Sequence, residues 1–181
     1  FLLENGCNLT SRDKFGNSAL LYATQHMKHE DVFILIKFMK FNEIKEKEIF
    51  IDFCHICNKK QEIIALHILQ SFPSIIYYKD SLSYNMTCLI CACKNGLINI
   101  VKELINKNVY LNQTDNRKLT AFMYACMNSK NNECLQLLID NNIDIIRSDE
   151  TGKTPLMYTF IPTVENGGIK RAQKHFNLYT C

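Results

Sequence analysis

The sequence lacks the features of a membrane protein, a nucleic-acid-binding protein or an enzyme. No apolar run approaches the roughly 18 residues that a membrane-spanning helix needs, and the net charge is only +3. No G-x-S-x-G sequence, phosphate-binding loop or pair of catalytic carboxylates appears. Cys54 and His55 are adjacent, and neighbouring side chains on a helix point about 100° apart, so they cannot act as nucleophile and base. We therefore expect no nucleic acid, no membrane and no catalysis.

The composition predicts a folded segment from a reducing compartment. Of the 181 residues, 47% are hydrophobic and 22% are charged, which is typical of one domain or a short repeat array. Nine cysteines, an odd number, suit a reducing compartment better than a disulfide framework. The opening FLLENG lacks the basic segment and cleavage site of a signal peptide. We expect a cytoplasmic segment of a longer chain, with the nucleus as the alternative compartment.

A motif recurs along the chain with a period of 33 or 34 residues. The stretches DKFGNSALLYAT, DNRKLTAFMYAC and DETGKTPLMYTF begin at Asp13, Asp115 and Asp149, and each has Ser or Thr five residues after its Asp. The stretch NMTCLICACKNG has the same register through Thr87. Pro155 directly follows Thr154, as in a helix that begins with a capping Thr and Pro in its first turn.

A second apolar pattern follows each motif. Apolar residues at positions i, i+3 and i+4 predict one buried stripe of an amphipathic helix in each unit. The four stripes are Val32, Leu35 and Ile36; Ala65, Ile68 and Leu69; Val101, Leu104 and Ile105; and Leu135, Leu138 and Ile139. Each unit is therefore predicted to be a helix, a tight turn, a second helix and a polar connector.

These units resemble the ankyrin repeat family, whose pattern is D-x-x-G-x-T-P-L-H-x-A-A followed by a second helix and G-A-D-x-N. The resemblance implies an all-α ankyrin-repeat solenoid of stacked helix-turn-helix units with short β-hairpin-like connectors. Tetratricopeptide repeats have a similar period but lack the Asp-Gly turn. The family's His is replaced in every unit, so we expect its turn-stabilising hydrogen bonds to be missing. The predicted units are the end of a truncated repeat at 1–12, repeats at 13–45, 82–114 and 115–148, a degenerate repeat at 46–81, and a partial or divergent terminal repeat and tail at 149–181.

The two C-x-x-C pairs raise alternatives to packing. Cys54 and Cys57, with Cys88 and Cys91 from the next unit, have the spacing of a four-sulfur zinc site, and Cys88 lies at a predicted helix start, where a thiol pKa is lowered in redox pairs. In the repeat register, however, Cys57 and Cys93 occupy a column that requires small residues between packed helices. We therefore predict no metal and no cofactor, and keep a zinc or redox sensor as an alternative. Cys91, in a column next to the groove, is the thiol to test for reactivity.

The resemblance implies a partner protein held in the concave groove of the stack, which would act as a scaffold or adaptor and be monomeric as a segment. A regulatory or targeting array of a larger enzyme, such as a kinase, is the alternative. Phe15, Met86, Leu119 and Met127 are expected at exposed tips, where apolar residues favour a partner. The candidate groove residues are Lys14, Phe15, Asn17, Tyr22, Gln25, Asn58, Lys59, Met86, Cys91, Lys94, Asn116, Arg117, Leu119, Tyr124, Met127, Glu150, Thr151, Lys153 and Tyr158.

Overall fold

The computed structural model describes residues 3, 5–42, 44–79, 84–128, 132–161, 163–165 and 168–170. Five first helices alternate in this part of the chain with four second helices. The first helices are α1 (Ala19–His26), α3 (Glu46–Asn58), α5 (Cys88–Asn95), α7 (Ala121–Met127) and α9 (Pro155–Thr159). The second helices are α2 (His29–Phe41), α4 (Glu62–Ser71), α6 (Ile98–Asn106) and α8 (Asn132–Asp140). None of the described helices has the length and apolar content that a bilayer span requires.

The helices form two layers. First helices pack on first helices, in the order α1, α3, α5, α7 and α9, and second helices pack on second helices, in the order α2, α4, α6 and α8. Each first helix with a following second helix also contacts it. This is the predicted all-α solenoid, in which every unit buries its stripe against its neighbours. The stripes are buried or half-buried as predicted, except that Ile139 at the end of α8 is exposed.

Three of the first helices begin with a capping hydroxyl, whereas the predicted cap Thr154 makes no side-chain hydrogen bond to α9, although Pro155 lies in its first turn. The hydroxyl oxygens of Ser18, Thr87 and Thr120 accept hydrogen bonds from backbone N–H groups three residues later. These bonds satisfy donors that have no partner inside the helix. Gly96 ends α5 with φ 72°, a left-handed conformation that glycine adopts without strain. Thr87 and Gly96 therefore bound α5 at its two ends.

The degenerate unit departs from the pattern at its start. Helix α3 has 13 residues, against eight in α1 and α5, and it begins directly after the short connector from α2 instead of after an Asp-Gly turn. The carboxylate of Asp52 on α3 is buried, and accepts hydrogen bonds from Arg12 Nη1 at 2.8 Å and Ser18 Oγ at 2.7 Å. Arg12 also donates to the Glu48 carboxylate at 3.1 Å. These bonds join the first hairpin to α3, where the repeat motif is absent.

The region after α9 is described only in part. The backbone of β1 (Thr163–Glu165) pairs antiparallel with β2 (Gly168–Lys170), with Val164 opposite Ile169. The question whether 160–181 forms a capping helix falls mostly outside the described residues. The unit boundaries given above remain predictions.

Candidate functional site

Three of the units begin with a turn that is organised by an aspartate: Asp13, Asp115 or Asp149. Asp115 Oδ1 accepts hydrogen bonds from the backbone N–H groups of Arg117 at 2.8 Å and Leu119 at 2.9 Å. This arrangement fixes a tight turn, because one carboxylate oxygen replaces two backbone acceptors. Asp13 and Asp149 make the same pair of bonds with the residues two and four positions later. The three turns are therefore built alike.

The second oxygen of each aspartate binds the tyrosine nine residues later. Oδ2 accepts the hydroxyl hydrogen bond of Tyr22 at 2.7 Å in the first unit and of Tyr124 at 2.9 Å in the fourth. Tyr158 donates to Asp149 in the same way. The hydrogen bond to Asp13 raises the pKa of Tyr22, while burial and then the bond to Asp149 raise the pKa of Tyr158 to about 12. The tyrosines thus tie each turn to its first helix and partly replace the bonds expected to be lost with the family's His.

This finding corrects the prediction that Tyr124 and Tyr158 line the groove. Tyr124 and Tyr158 are buried and their hydroxyls point inward, so they are not free binding anchors in the groove. Burial is the first cause of the raised pKa of Tyr124, followed by its hydrogen bond to Asp115. Tyr22 is 46% exposed, and it remains available to a partner.

Consecutive hairpin tips are joined by backbone hydrogen bonds. The N–H of Asn116 donates to the carbonyl of Tyr84 at 2.8 Å, and the N–H of Glu150 donates to the carbonyl of Arg117 at 3.3 Å. We call the tips joined in this way, at residues 84, 116–117 and 150, the tip row. Tyr84 is 56% exposed, and the Arg117 guanidinium carbon lies 4.5 Å from the centre of its ring. The tip row therefore presents an aromatic ring and a cation side by side.

A second set of contacts joins the far ends of the first helices. Asn95 Nδ2 donates to Asn58 Oδ1 at 3.1 Å, and Asn128 Nδ2 donates to the carbonyl of Lys94 at 3.3 Å. We call these ends, at residues 58, 94–95 and 128, the end row. Helices α5 and α7 run from the tip row to the end row, and their residues between the rows, 88–93 and 121–126, are buried, so the hairpins and the first-helix ends form the accessible surface on this side. We call this surface the front face.

Most predicted groove residues lie on the hairpins or at the helix ends and are at least partly exposed. Phe15 is 73% exposed at the first hairpin, while Asn17, Arg117 and Met127 are half-buried. The predicted residues that are exposed are Lys14, Phe15, Tyr22, Gln25, Asn58, Lys59, Lys94, Asn116, Glu150, Thr151 and Lys153.

The prediction that Met86 and Leu119 are exposed is wrong. Each is 4% exposed. They occupy the same column as Asn17 and Lys153, the last hairpin position before the first helix. In the outer units this position is polar, whereas in the two middle units neighbouring repeats cover it and apolar side chains fill the space. Met86 and Leu119 are core residues.

The structure also changes the assignment of the cysteines. Cys91 is 3% exposed, and its Sγ donates to Cys54 Sγ at 3.5 Å, so it faces the neighbouring repeat rather than the groove. Burial raises the pKa of Cys88, the thiol at the start of α5, well above its ordinary value. This direction is opposite to the one that a redox-active thiol requires. Within the described residues, no group of three or more His, Cys, Asp or Glu side chains could hold a metal ion.

Sequence reasoning missed Tyr84. It lies three residues before the capping Thr87, as Arg117 lies three before Thr120 and Thr151 three before Thr154. That spacing would have placed Tyr84 at a hairpin tip. Arg117 was predicted as a groove residue from its position in the repeat, but its contact with the Tyr84 ring was not predicted.

The comparisons with known proteins agree with this geometry. The family model "Ankyrin repeats (3 copies)" matches residues 89–160, from α5 to α9. A search of curated proteins found no match.

Proposed function

Because the chain is an ankyrin repeat protein, and ankyrin repeats are in general protein–protein interaction modules, we propose that it binds a partner protein through the front face. It would act as a scaffold or adaptor, by binding rather than by catalysis. The observation that carries this proposal is the tip row, in which backbone hydrogen bonds hold three successive hairpins in register. A surface that is rigid before binding loses little conformational entropy when the partner docks.

The exposed aromatic residues mark where the partner would dock. Phe15 and Tyr84 are large side chains held on tight turns with most of their surface in water. Aromatic residues of this kind are frequent anchors of protein interfaces, and Tyr22 adds a third ring next to the first hairpin. The groove proposed here therefore excludes Met86, Leu119, Cys91, Tyr124 and Tyr158.

The thiols suggest where this binding takes place. The sulfurs of Cys54 and Cys91 lie 3.5 Å apart and those of Cys93 and Cys134 lie 3.7 Å apart, so neither pair is joined by a disulfide. Free buried thiols are typical of proteins that work in a reducing environment. This supports the cytoplasm as the compartment of the proposed partner.

The proposal is tested by comparing substitutions on the front face with substitutions on the exposed side of the second helices, which we call the outer layer. One variant changes Phe15→Ser and Tyr84→Ser together, and its matched control changes Ile34→Ser and Ile63→Ser, which are exposed on α2 and α4. All forms are compared with the unchanged chain in affinity capture from cell extract, read by quantitative mass spectrometry, with circular dichroism as the check of folding. We expect the front-face variant to lose the captured partner and the control to keep it. The reverse pattern would place the partner on the outer layer.

A further inference from the structure

The exposed charges of the hairpins and first-helix ends are unequal in sign. Among the described residues there, Glu150 is the one acidic residue that is exposed, whereas Asp13, Glu46 and Glu48 are half-buried. The exposed basic side chains of the same elements include Lys14, Lys59, Lys60, Lys94, Lys118 and Lys153. The second helices differ, because they expose both signs: Glu30, Asp31, Glu133 and Asp140 against Lys37, Lys40 and Lys102.

The turn aspartates do not offset this difference at the surface. Asp115 and Asp149 are buried, and their oxygens already accept backbone and tyrosine hydrogen bonds. Asp13 is half-buried and bonded in the same way. The lysine ammonium groups of the hairpins are therefore more accessible to a docked chain than these carboxylates are.

Arg117 gives this positive surface a fixed centre. Its Nη2 donates to Tyr124 Oη at 2.6 Å, and the Tyr84 ring supports the guanidinium plane from one side. Its only ion pair among the described residues is with Asp115, at 3.5 Å, and its side chain remains 42% exposed. A guanidinium held in one orientation is well suited to a carboxylate.

The geometry of the stack sets the spacing of the ligand groups. Packed helices lie about 8–10 Å apart, and an extended chain advances about 3.3 Å per residue. A segment that runs along the tip row would therefore present about one side chain in three to each successive hairpin. Arg117 and Lys118 lie on one hairpin and Lys153 on the next.

We propose that the front face binds an extended acidic protein segment, in which carboxylates about three residues apart pair with Arg117, Lys118 and Lys153 while an apolar side chain packs on Tyr84. This inference rests on the proposed function and names the chemistry of the partner. The proposed binding depends on the positive charges of the hairpins and not on the identity of any particular protein.

A synthetic peptide provides the direct probe. A fluorescein-labelled peptide with Glu at every third position, Ser and Thr between them and one central Leu is titrated with the whole chain and followed by fluorescence anisotropy. Its control carries Gln in place of every Glu. We expect the Glu peptide to bind at least tenfold more tightly in 50 mM salt, and to lose most of this advantage in 500 mM salt, because exposed charges are screened. Equal binding of the two peptides would overturn the inference.

Variants then locate the binding. Changing Arg117→Gln, Lys118→Asn and Lys153→Gln together should weaken binding of the Glu peptide at least tenfold. The matched control, Lys37→Gln with Lys40→Gln on α2 and Lys102→Gln on α6, removes the same three charges from the second helices and should change binding less than twofold. Asn is chosen at 118 because it tolerates the left-handed backbone found there. An equal loss in the control would show that only net charge matters and would contradict the proposed site.

Competition separates the possible anionic partners. Single-stranded DNA, phosphatidylserine vesicles and unlabelled Glu peptide are each added to the complex with the labelled Glu peptide. If DNA or vesicles displace the labelled peptide at a lower concentration of negative charge than the unlabelled peptide does, the proposal that the ligand is a protein segment is wrong. The failure of this inference also differs from the failure of the proposed function. If the Arg117, Lys118 and Lys153 variant still captures the partner that the Phe15 and Tyr84 variant loses, the front face binds a protein, but not through acidic residues.

Discussion

The hydroxyl of Tyr124 donates a hydrogen bond of 2.9 Å to Oδ2 of Asp115, nine residues earlier in the chain. The other oxygen of the same carboxylate accepts hydrogen bonds from two backbone N–H groups of the turn. One aspartate thus connects the hairpin tip to the body of the following helix. The same relationship in Asp13 with Tyr22 and Asp149 with Tyr158 makes it a repeated element of this solenoid.

Changing Tyr124→Phe should lower the free energy of unfolding by about 2 kcal/mol, because a buried carboxylate loses a charge-assisted hydrogen bond that water cannot replace. The measurement is urea denaturation followed by circular dichroism. Tyr22→Phe is the matched control, because Tyr22 is half exposed and water can replace its hydroxyl. If Tyr22→Phe lowers the free energy of unfolding as much as Tyr124→Phe does, burial does not determine the strength of this hydrogen bond.

The carboxyl group of Asp13 should titrate with a pKa of about 2, because the hydrogen bond from Tyr22 and then the backbone N–H of Asn17 stabilise its charged form. A folded-state pKa below the ordinary value means that the turn is stabilised above about pH 4 and loses this contribution as the pH falls towards 2. Carbon-13 NMR of the carboxyl group across this range measures it. In a Tyr22→Phe chain the pKa should rise towards 3.8, and an unchanged pKa would show that the hydroxyl has no role.

Lys118 occupies the turn position that Gly16 and Gly152 hold in other units, with φ 59° against 81° for both glycines. A side chain in this left-handed region costs about 1 kcal/mol relative to glycine. Lys118→Gly should therefore raise the urea midpoint, and Gly152→Ala should lower it, since a Cβ there meets no atom within 4 Å and only the backbone is strained. Two shifts of the same sign would refute the explanation.

Removing Arg12 should be among the most harmful changes at this end of the stack. Burial raises the pKa of Asp52, and the hydrogen bond from Ser18 and the charge of Arg12 oppose that rise. Arg12→Ala leaves this buried carboxylate without its cation and should cost about 3 kcal/mol of unfolding free energy. Adding Asp52→Ala should restore part of the loss in a double-mutant cycle. If the two losses simply add, Arg12 and Asp52 are not coupled.

The cysteines should react according to their burial. In a Cys181→Ser chain, Ellman's reagent should label Cys7 quickly, because it is exposed, and label Cys91 only when the stack is unfolded. Peptide mapping after a short and a long exposure identifies the labelled thiols. Fast labelling of Cys91 in the folded chain would restore the sequence-based hypothesis of a reactive thiol next to the groove.

The helix pairs and their caps were predictable because they depend on local signals. Thr87, Thr120 and Gly96 have roles that follow from capping chemistry and from their position in the period. The apolar stripes follow from helical periodicity alone. These features need no knowledge of which units lie next to each other.

The errors have a common physical origin in contacts that periodicity does not encode. The repeat register predicted Leu119 at an exposed tip, yet the neighbouring repeats cover it. Tyr22, Tyr124 and Tyr158 occupy the same position of their first helices, but the direction of each hydroxyl depends on an aspartate in the preceding turn. Arg12 pairs with Asp52, forty residues later. The sequence did not predict this ion pair, because the unit of Asp52 lacks the repeat motif.

The position of the binding surface is tested most directly by hydrogen–deuterium exchange of the chain with and without its captured partner. We predict that the partner slows exchange in the hairpins at 13–17, 84–86, 115–119 and 149–153 and at the C-terminal ends of the first helices, while α2, α4, α6 and α8 are unchanged. Protection confined to the second helices, with the hairpins exchanging as in the free chain, would contradict binding at the front face.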